Sequence, residues 1–304
     1  MYFDYSRGVF SESDAADGHR LHRPWHSARA RLWAGGVVLG LALGSVACDV
    51  KVGEGGGLSV DFAAGKASDE WVRTYDIKPG GRLEIINING QIHASPATGS
   101  QVEVRAIREV RTGSEEASRE LLKKSEMREA VTPDLVTIEA PESQGRDGGG
   151  FRRPQLTVKY EVRVPPGLNM RLKTQNGEVR LDNVNGVRIE ATTTNGGITG
   201  RGVSGAIEAQ TVNGGITMDL ASVTGDSRMV TVNGGVTLTV APGVNASLEA
   251  TVVNGGIQVR DGLQLSVEEQ SRQRVAGRIG SGGPRIVVQT TNGGVRLGNG
   301  APGS

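Results

Sequence analysis

Two stretches decide the fold: Ile189-Glu190-Ala191-Thr192-Thr193-Thr194-Asn195-Gly196-Gly197-Ile198 and Ile207-Glu208-Ala209-Gln210-Thr211-Val212-Asn213-Gly214-Gly215-Ile216. They are two copies of one phrase. Outward from them, Asn-Gly-Gly-[Ile/Val] returns at Asn233, Asn254 and Asn292, and a looser Asn-Gly-x-[Ile/Val] at Asn89 and Asn176. From Asn176 onward the steps are 19, 18, 20, 21 and 38 residues, the last close to two periods. The Asn89 copy stands 87 residues before Asn176. A fixed period of about 20 residues marks an architecture of stacked repeats.

The flanks repeat as well. Six, four and two residues before the asparagines stand Leu83/Ile85/Asn87, Met170/Leu172/Thr174, Ile189/Ala191/Thr193, Ile207/Ala209/Thr211, Leu248/Ala250/Val252 and Ile286/Val288/Thr290, with Ser227/Met229/Thr231 as the weakest set. Three residues after each asparagine comes Ile or Val, and the fifth position is usually apolar. Alternation on both sides of a tight corner predicts strand, corner, strand, with one face buried. Asn-Gly suits a corner that needs positive φ. Such corners occur in hairpin meanders and in stacked coils with an asparagine ladder along one edge. The near-identical corners, with Thr two residues before Asn in five of seven copies, favour stacking.

The outward position five residues before each Asn reads Glu84, Arg171, Glu190, Glu208, Arg228, Glu249 and Val287. Coils stacked in chain order would set Arg171 beside Glu190 and Arg228 between Glu208 and Glu249. The positions one and three before each Asn are not a regular Thr array, so an ice-binding wall is excluded. They do bring Val212, Val230, Val232 and Val253 together as a candidate apolar contact stripe, unless a further sheet or the polar segment 266–283 covers it.

The chain has 304 residues, 46 of them Gly, and 4% aromatics; 34 Lys+Arg against 33 Asp+Glu give a net charge of +1. That balance offers no case for nucleic acid as a partner. Residues 1–47 read as a leader: Arg20, Arg23, Arg29 and Arg31 precede an apolar run from Leu32 to Ala47, the length of a secretory h-region. Small residues before Cys48, the chain's only cysteine, resemble a bacterial lipobox, with Ser45 where Leu is usual. Cys48 is thus the candidate lipidation site; cleavage after Ala47 without lipid and an uncleaved membrane anchor are the alternatives. All three place the remainder outside the cytoplasm.

Residues 48–70 form a Gly-rich tether, 71–165 an N-terminal β region, and 166–300 the repeat region. Ser114 caps a charged helix-like stretch within an insertion at 113–130, and Gln144–Arg153 reads as a loop. A second insertion, 266–283, interrupts the coil between Asn254 and Asn292 and accounts for the doubled step.

The strand Val158-Lys159-Tyr160-Glu161-Val162-Arg163-Val164, closed by Pro165-Pro166-Gly167 and followed by the Asn-Gly-Gly units, resembles the bacterial putative-adhesin family of unknown function and its GIN-type relatives. The resemblance covers about Ile77 to Leu297. It implies an envelope-exposed all-β fold, a right-handed β-solenoid (a single-stranded β-helix) of about 20-residue coils.

The chemistry available to such a chain is narrow. His19, His22 and His26 lie in the leader, leaving His93, at an outward strand position, as the only base for a nucleophile system. No His/Cys cluster offers a transition-metal site. The Gly pairs lack the Lys and helix of a phosphate loop and the Asp of calcium-binding β-rolls. Asp182, Asp219, Asp226 and Asp261 form no shared column of the kind a β-helix carbohydrate enzyme needs. The expectation is a non-enzymatic, cell-envelope-anchored binding or structural module without cofactor. Its partners are the membrane, through a lipid or an N-terminal helix, and an envelope protein or surface glycan. The alternatives are an accessory of envelope signalling or stress response and a carbohydrate-active enzyme, which an acidic groove at the insertions would revive.

Overall fold

The computed structural model describes residues 50–52, 58–60, 65–141, 154–260 and 262–300. The leader, Cys48 and the Gln144–Arg153 loop lie outside them. Strand dominates, and Glu115–Lys124 is the one helix among the described residues. Ser114 caps it by accepting from the Ala117 N–H at 3.2 Å, and Leu122 and Ser118 are buried. No helix among the described residues is long and apolar enough to cross a membrane.

Each repeat is a strand before the asparagine and a strand after it, and both pair in parallel, in register, with the same strands of neighbouring repeats. Ile189 pairs with Ile207, and Asn195 with Asn213; beyond the corner Ile198 pairs with Ile216, and Ile216 with Val236. The inward columns are fully buried: Leu83, Met170, Ile189, Ile207 and Ile286 before the corner, and Ile92, Val179, Ile198, Ile216, Val236 and Val295 after it. Burying each such side chain contributes about 1.5–3 kcal/mol. The repeats must stack because one alone leaves this face in water.

The order of stacking departs from the order of the chain at both ends. Strand Arg82–Ile86 lies between Leu135–Glu139 and Leu168–Lys173. At the other end Arg285–Asn292 lies between Ser227–Asn233 and Ala246–Asn254, and Val295–Asn299 lies between Val236–Val240 and Ile257–Val259. The final coil is therefore threaded back into the stack. The 38-residue step is not a lost repeat, because Asn254 and Asn292 are direct neighbours. Segment 266–283 supplies two antiparallel strands, Leu265–Gln270 and Arg274–Ile279, which close the far side of Ala246–Asn254.

The threading corrects two further expectations. Arg228 faces Val287, and Glu249 lies beyond it; Arg171 does sit beside Glu190, at 3.7 Å. In the valine stripe, Thr291 intervenes between Val232 and Val253, since its coil does. Strand Gly65–Tyr75, paired along its length with Val102–Thr112, also runs through positions that composition assigns to the tether.

The edges at the two ends carry charge or are short. Leu265–Gln270 bears exposed Glu268 and Glu269, Arg128–Val131 bears Arg128 and Glu129, and Ile257–Val259 has three residues. Charged and short edges resist further pairing.

Among the described residues two buried side-chain oxygens make no hydrogen bond, Asp182 Oδ1 and the Tyr160 hydroxyl. The Tyr160 hydroxyl is 1% exposed by residue and makes no hydrogen bond, and its burial drives the phenol pKa up. Tyr160→Phe is expected to stabilise the protein by about 1 kcal/mol, a rise in Tm of about 2–4 °C. A fall in Tm would show that the hydroxyl has a partner.

Candidate functional site

The asparagine corners form one unbroken ladder. Asn176 donates from Nδ2 to Asn89 Oδ1 at 2.8 Å, Asn195 to Asn176 at 2.8 Å and Asn213 to Asn195 at 2.9 Å. Asn233 donates to Asn213, and Asn292 to Asn233, both at 2.9 Å; Asn254 donates to Asn292 at 2.8 Å. The ladder thus runs in stacking order, with Asn292 ahead of Asn254.

Positive φ does not select these asparagines. Asn183 is the one non-glycine with positive φ among the described residues. What selects the corner is the stack. A Cβ on Gly177, Gly196, Gly214, Gly234, Gly293 or Gly255 would sit far inside van der Waals contact with the carbonyl oxygen of the preceding coil's first glycine. Those carbonyls have a second role, which sequence reasoning missed. Thr193 Oγ1 donates to Gly177 O at 2.9 Å, Thr211 to Gly196 O at 2.9 Å, Thr231 to Gly214 O at 2.8 Å and Thr290 to Gly234 O at 2.7 Å. Thr174 donates to Gly90 O at 3.1 Å. The recurring Thr two residues before Asn was visible in the sequence; that its hydroxyl satisfies an inward carbonyl was not.

Beside the ladder the candidate stripe is open to solvent: Val212 is 42% exposed, Val232 39% and Val253 54%, with Val230 half-buried. The strands of 266–283 flank the stack and leave these three valines uncovered. Gln273 reaches only the Val253 carbonyl, donating at 2.7 Å.

The outer walls are charged and largely self-neutralising. Glu249 is held by Arg285 and Arg274, and these arginines keep its carboxyl below the usual carboxylate range. Glu268 pairs with Arg278 at 2.9 Å, and Asp226 accepts from the Arg285 backbone N–H at 2.8 Å. These groups line a groove of about 410 Å³ at the second insertion. At the first, a cavity of about 420 Å³ has Glu126 as its one carboxylate beside Lys124 and Arg128. Neither is an acidic groove.

Asp182 and Asp219 do share a column, each six residues after its asparagine, which corrects the expectation. Arg201, from the intervening coil, lies 4.0 Å from Asp182 Oδ1. Asp182 also contacts His93 Nε2 at 2.9 Å and accepts from Arg180 Nε at 3.0 Å. Asp219 accepts from Thr239 Oγ1 at 3.0 Å. Asp182 is the one hydrogen-bond partner of His93 among the described residues, so the contact lacks the nucleophile a catalytic triad requires. Among the described residues no group of three or more His, Cys, Asp or Glu side chains is arranged to hold a metal ion.

Residues 82–298 match the family model described as Toastrack DUF4097. No curated protein matches the chain. Among solved structures, a "putative cell adhesion protein" from Clostridium sporogenes ATCC 15579 is 11% identical at a TM-score of 0.49, over 77% of this chain and 100% of that one. A "putative adhesin" from Bacteroides fragilis NCTC 9343 is 10% identical at a TM-score of 0.33, over 76% and 97%. A "putative lipid binding protein" from Parabacteroides distasonis ATCC 8503 is 11% identical at 0.30, over 77% and 97%. At these identities and scores the three carry no argument about function. The family match takes in the coils from Arg82 to Gly298 and the corners they share, and the chain belongs to the Toastrack DUF4097 family.

Proposed function

We propose that this protein is a non-enzymatic, cell-envelope-anchored module that presents its stacked corners to a partner, an adhesin-like or structural role. In this reading residues 1–47 are removed or act as anchor, Cys48 carries lipid, and the Gly-rich stretch after it holds the β region off the membrane. The coils wind right-handed as a solenoid, and the GIN-type domains are kin. The observation that supports the reading is the corner itself. Seven aligned asparagines with exposed valines beside them make a long regular surface, whereas the carboxylates of the groove at the second insertion are engaged by arginines or backbone.

The test is intact mass and membrane fractionation of the protein expressed in a bacterial host, beside Cys48→Ala. A chain beginning at Cys48 with a diacylglyceryl-sized increment, sedimenting with membranes and lost in the variant, is the expected result. A full-length chain that stays in the cytosol would overturn the reading.

A further inference from the structure

The second glycine of each Asn-Gly-Gly lacks the reason that fixes the first. None of Gly197, Gly215, Gly235, Gly294 and Gly256 has positive φ. A Cβ there would meet its nearest neighbouring atom, a backbone carbonyl oxygen, at 3.3, 3.3, 3.0, 3.5 and 4.0 Å respectively: tight at Gly197, Gly215 and Gly235, where the neighbour must give by a few tenths of an ångström, and ordinary at Gly294 and Gly256. The same column carries Gln91 and Glu178 at the other end of the stack, so it tolerates side chains. Five successive coils nevertheless leave it bare. The result is a strip of exposed and half-exposed backbone on one side of the amide ladder, with Val212, Val232 and Val253, and Thr194 and Thr291 in the same column, preceding the asparagines on the other.

We propose that this strip is a docking track for a neutral glycan chain lying along the stack. The inference rests on the binding reading above and names its partner. Three features select that chemistry. In the coils of Asn195, Asn213, Asn233, Asn292 and Asn254, no residue from one before the asparagine to two after it is charged, although 22% of the chain is. An ionic polymer finds no counter-charge there.

Next, a carboxamide has two donors and two acceptor sites. The ladder uses one of each at every interior Asn, leaving one donor and one acceptor per coil, repeated about every 4.8 Å. That is an array for hydroxyl groups. Lastly, the corner backbone is already spent between coils, with Gly196 N–H donating to Asn213 O and Ile198 N–H to Gly215 O, both at 3.0 Å. A peptide strand therefore has no edge to extend. The valines and bare glycines let the C–H faces of sugar rings approach closely.

The experiment measures binding of neutral β-glucan oligosaccharides, with polygalacturonate as the charged counterpart, by titration calorimetry on the full-length chain. It compares wild type with Gly215→Gln/Gly294→Gln, which places in the column the residue found at 91. Gly256→Gln, at the roomiest position, and Val212→Ser/Val232→Ser, which leaves the glycines intact, serve as further variants, each with its Tm. Expected is neutral-glucan binding insensitive to salt and weakened at least about tenfold, equivalent to about 1.4 kcal/mol, in variants whose Tm holds.

Four results overturn the proposal: no neutral-glucan binding by the wild type, preference for polygalacturonate, equal binding by every variant that folds, or self-association that the variants abolish, which would put a second copy on the strip. If the chain is lipidated and in the envelope while glucan fails, this inference alone falls. If it is not anchored, the reading beneath it falls whatever the glucan result.

Discussion

Gly214→Ala is expected to lower stability by about 3 kcal/mol or more, a fall in Tm of about 6–12 °C. The added methyl would overlap the Gly196 carbonyl, which is fixed from two sides. It accepts the Thr211 hydroxyl at 2.9 Å and belongs to a coil whose next N–H groups bond to Asn213 O and Gly215 O. Neither atom can retreat without opening the stack on both faces, so the strain has nowhere to relax. Gly256→Ala is the control. Its Cβ would meet nothing closer than 4.0 Å, and alanine restricts the unfolded chain more than glycine does. It should be neutral or stabilise by up to about 1 kcal/mol. Equal losses from the two substitutions would show that the corner selects glycine for its φ and ψ, as the sequence alone suggests, and not for lateral room.

The strand, corner, strand unit was legible because its signals are local: alternation on both sides of Asn-Gly, and a period too regular for chance. The charge column was partly legible. Arg171 lies beside Glu190 because those coils are consecutive in both chain and stack. Arg228 lacks Glu249 as neighbour because the strand that separates them begins at Arg285, 52 residues after Asn233, and no local pattern announces its return. Any coil with apolar residues at the same offsets fits any slot, so the sequence specifies the units far better than their order. The ladder follows the same logic. Asparagine at the corner was visible, but which two asparagines touch depends on which coils are neighbours. The severe Cβ clash at the first glycine and the looser fit at the second, from tight at Gly235 to open at Gly256, also lay beyond the sequence, since both read simply as Gly.

This interchangeability gives the second large effect. Removing residues 285–304 takes out the threaded coil and leaves Ser227–Asn233 and Ala246–Asn254 facing each other across an empty slot. Leaving it empty would expose the edges and buried columns of both strands, which is costly in unpaired backbone groups. The coil of Asn254 can close the slot without changing register: Asn254 would take the place of Asn292 against Asn233, Ile257 that of Val295 against Val236, and Thr251 that of Gln289 against Val230. Glu249 would then reach Arg228. The hairpin of Leu265–Gln270 and Arg274–Ile279 lies on the far side and can move with it.

A Val230→Cys/Thr251→Cys pair in a Cys48→Ala background reads this directly. In the full chain one strand separates the two positions, roughly 9.6 Å from strand spacing, beyond disulfide reach. In the truncated chain they become neighbours at about 4.8 Å. Oxidation should crosslink most of the truncated protein and almost none of the full-length protein, whereas Val230→Cys/Gln289→Cys should crosslink the full-length chain. A crosslink between 230 and 251 in the full chain would mean the coils stack in chain order after all. Its absence from a truncated chain that still folds would mean the slot stays open, and that the linker Ala241–Asn245, not the register, sets where the Asn254 coil sits.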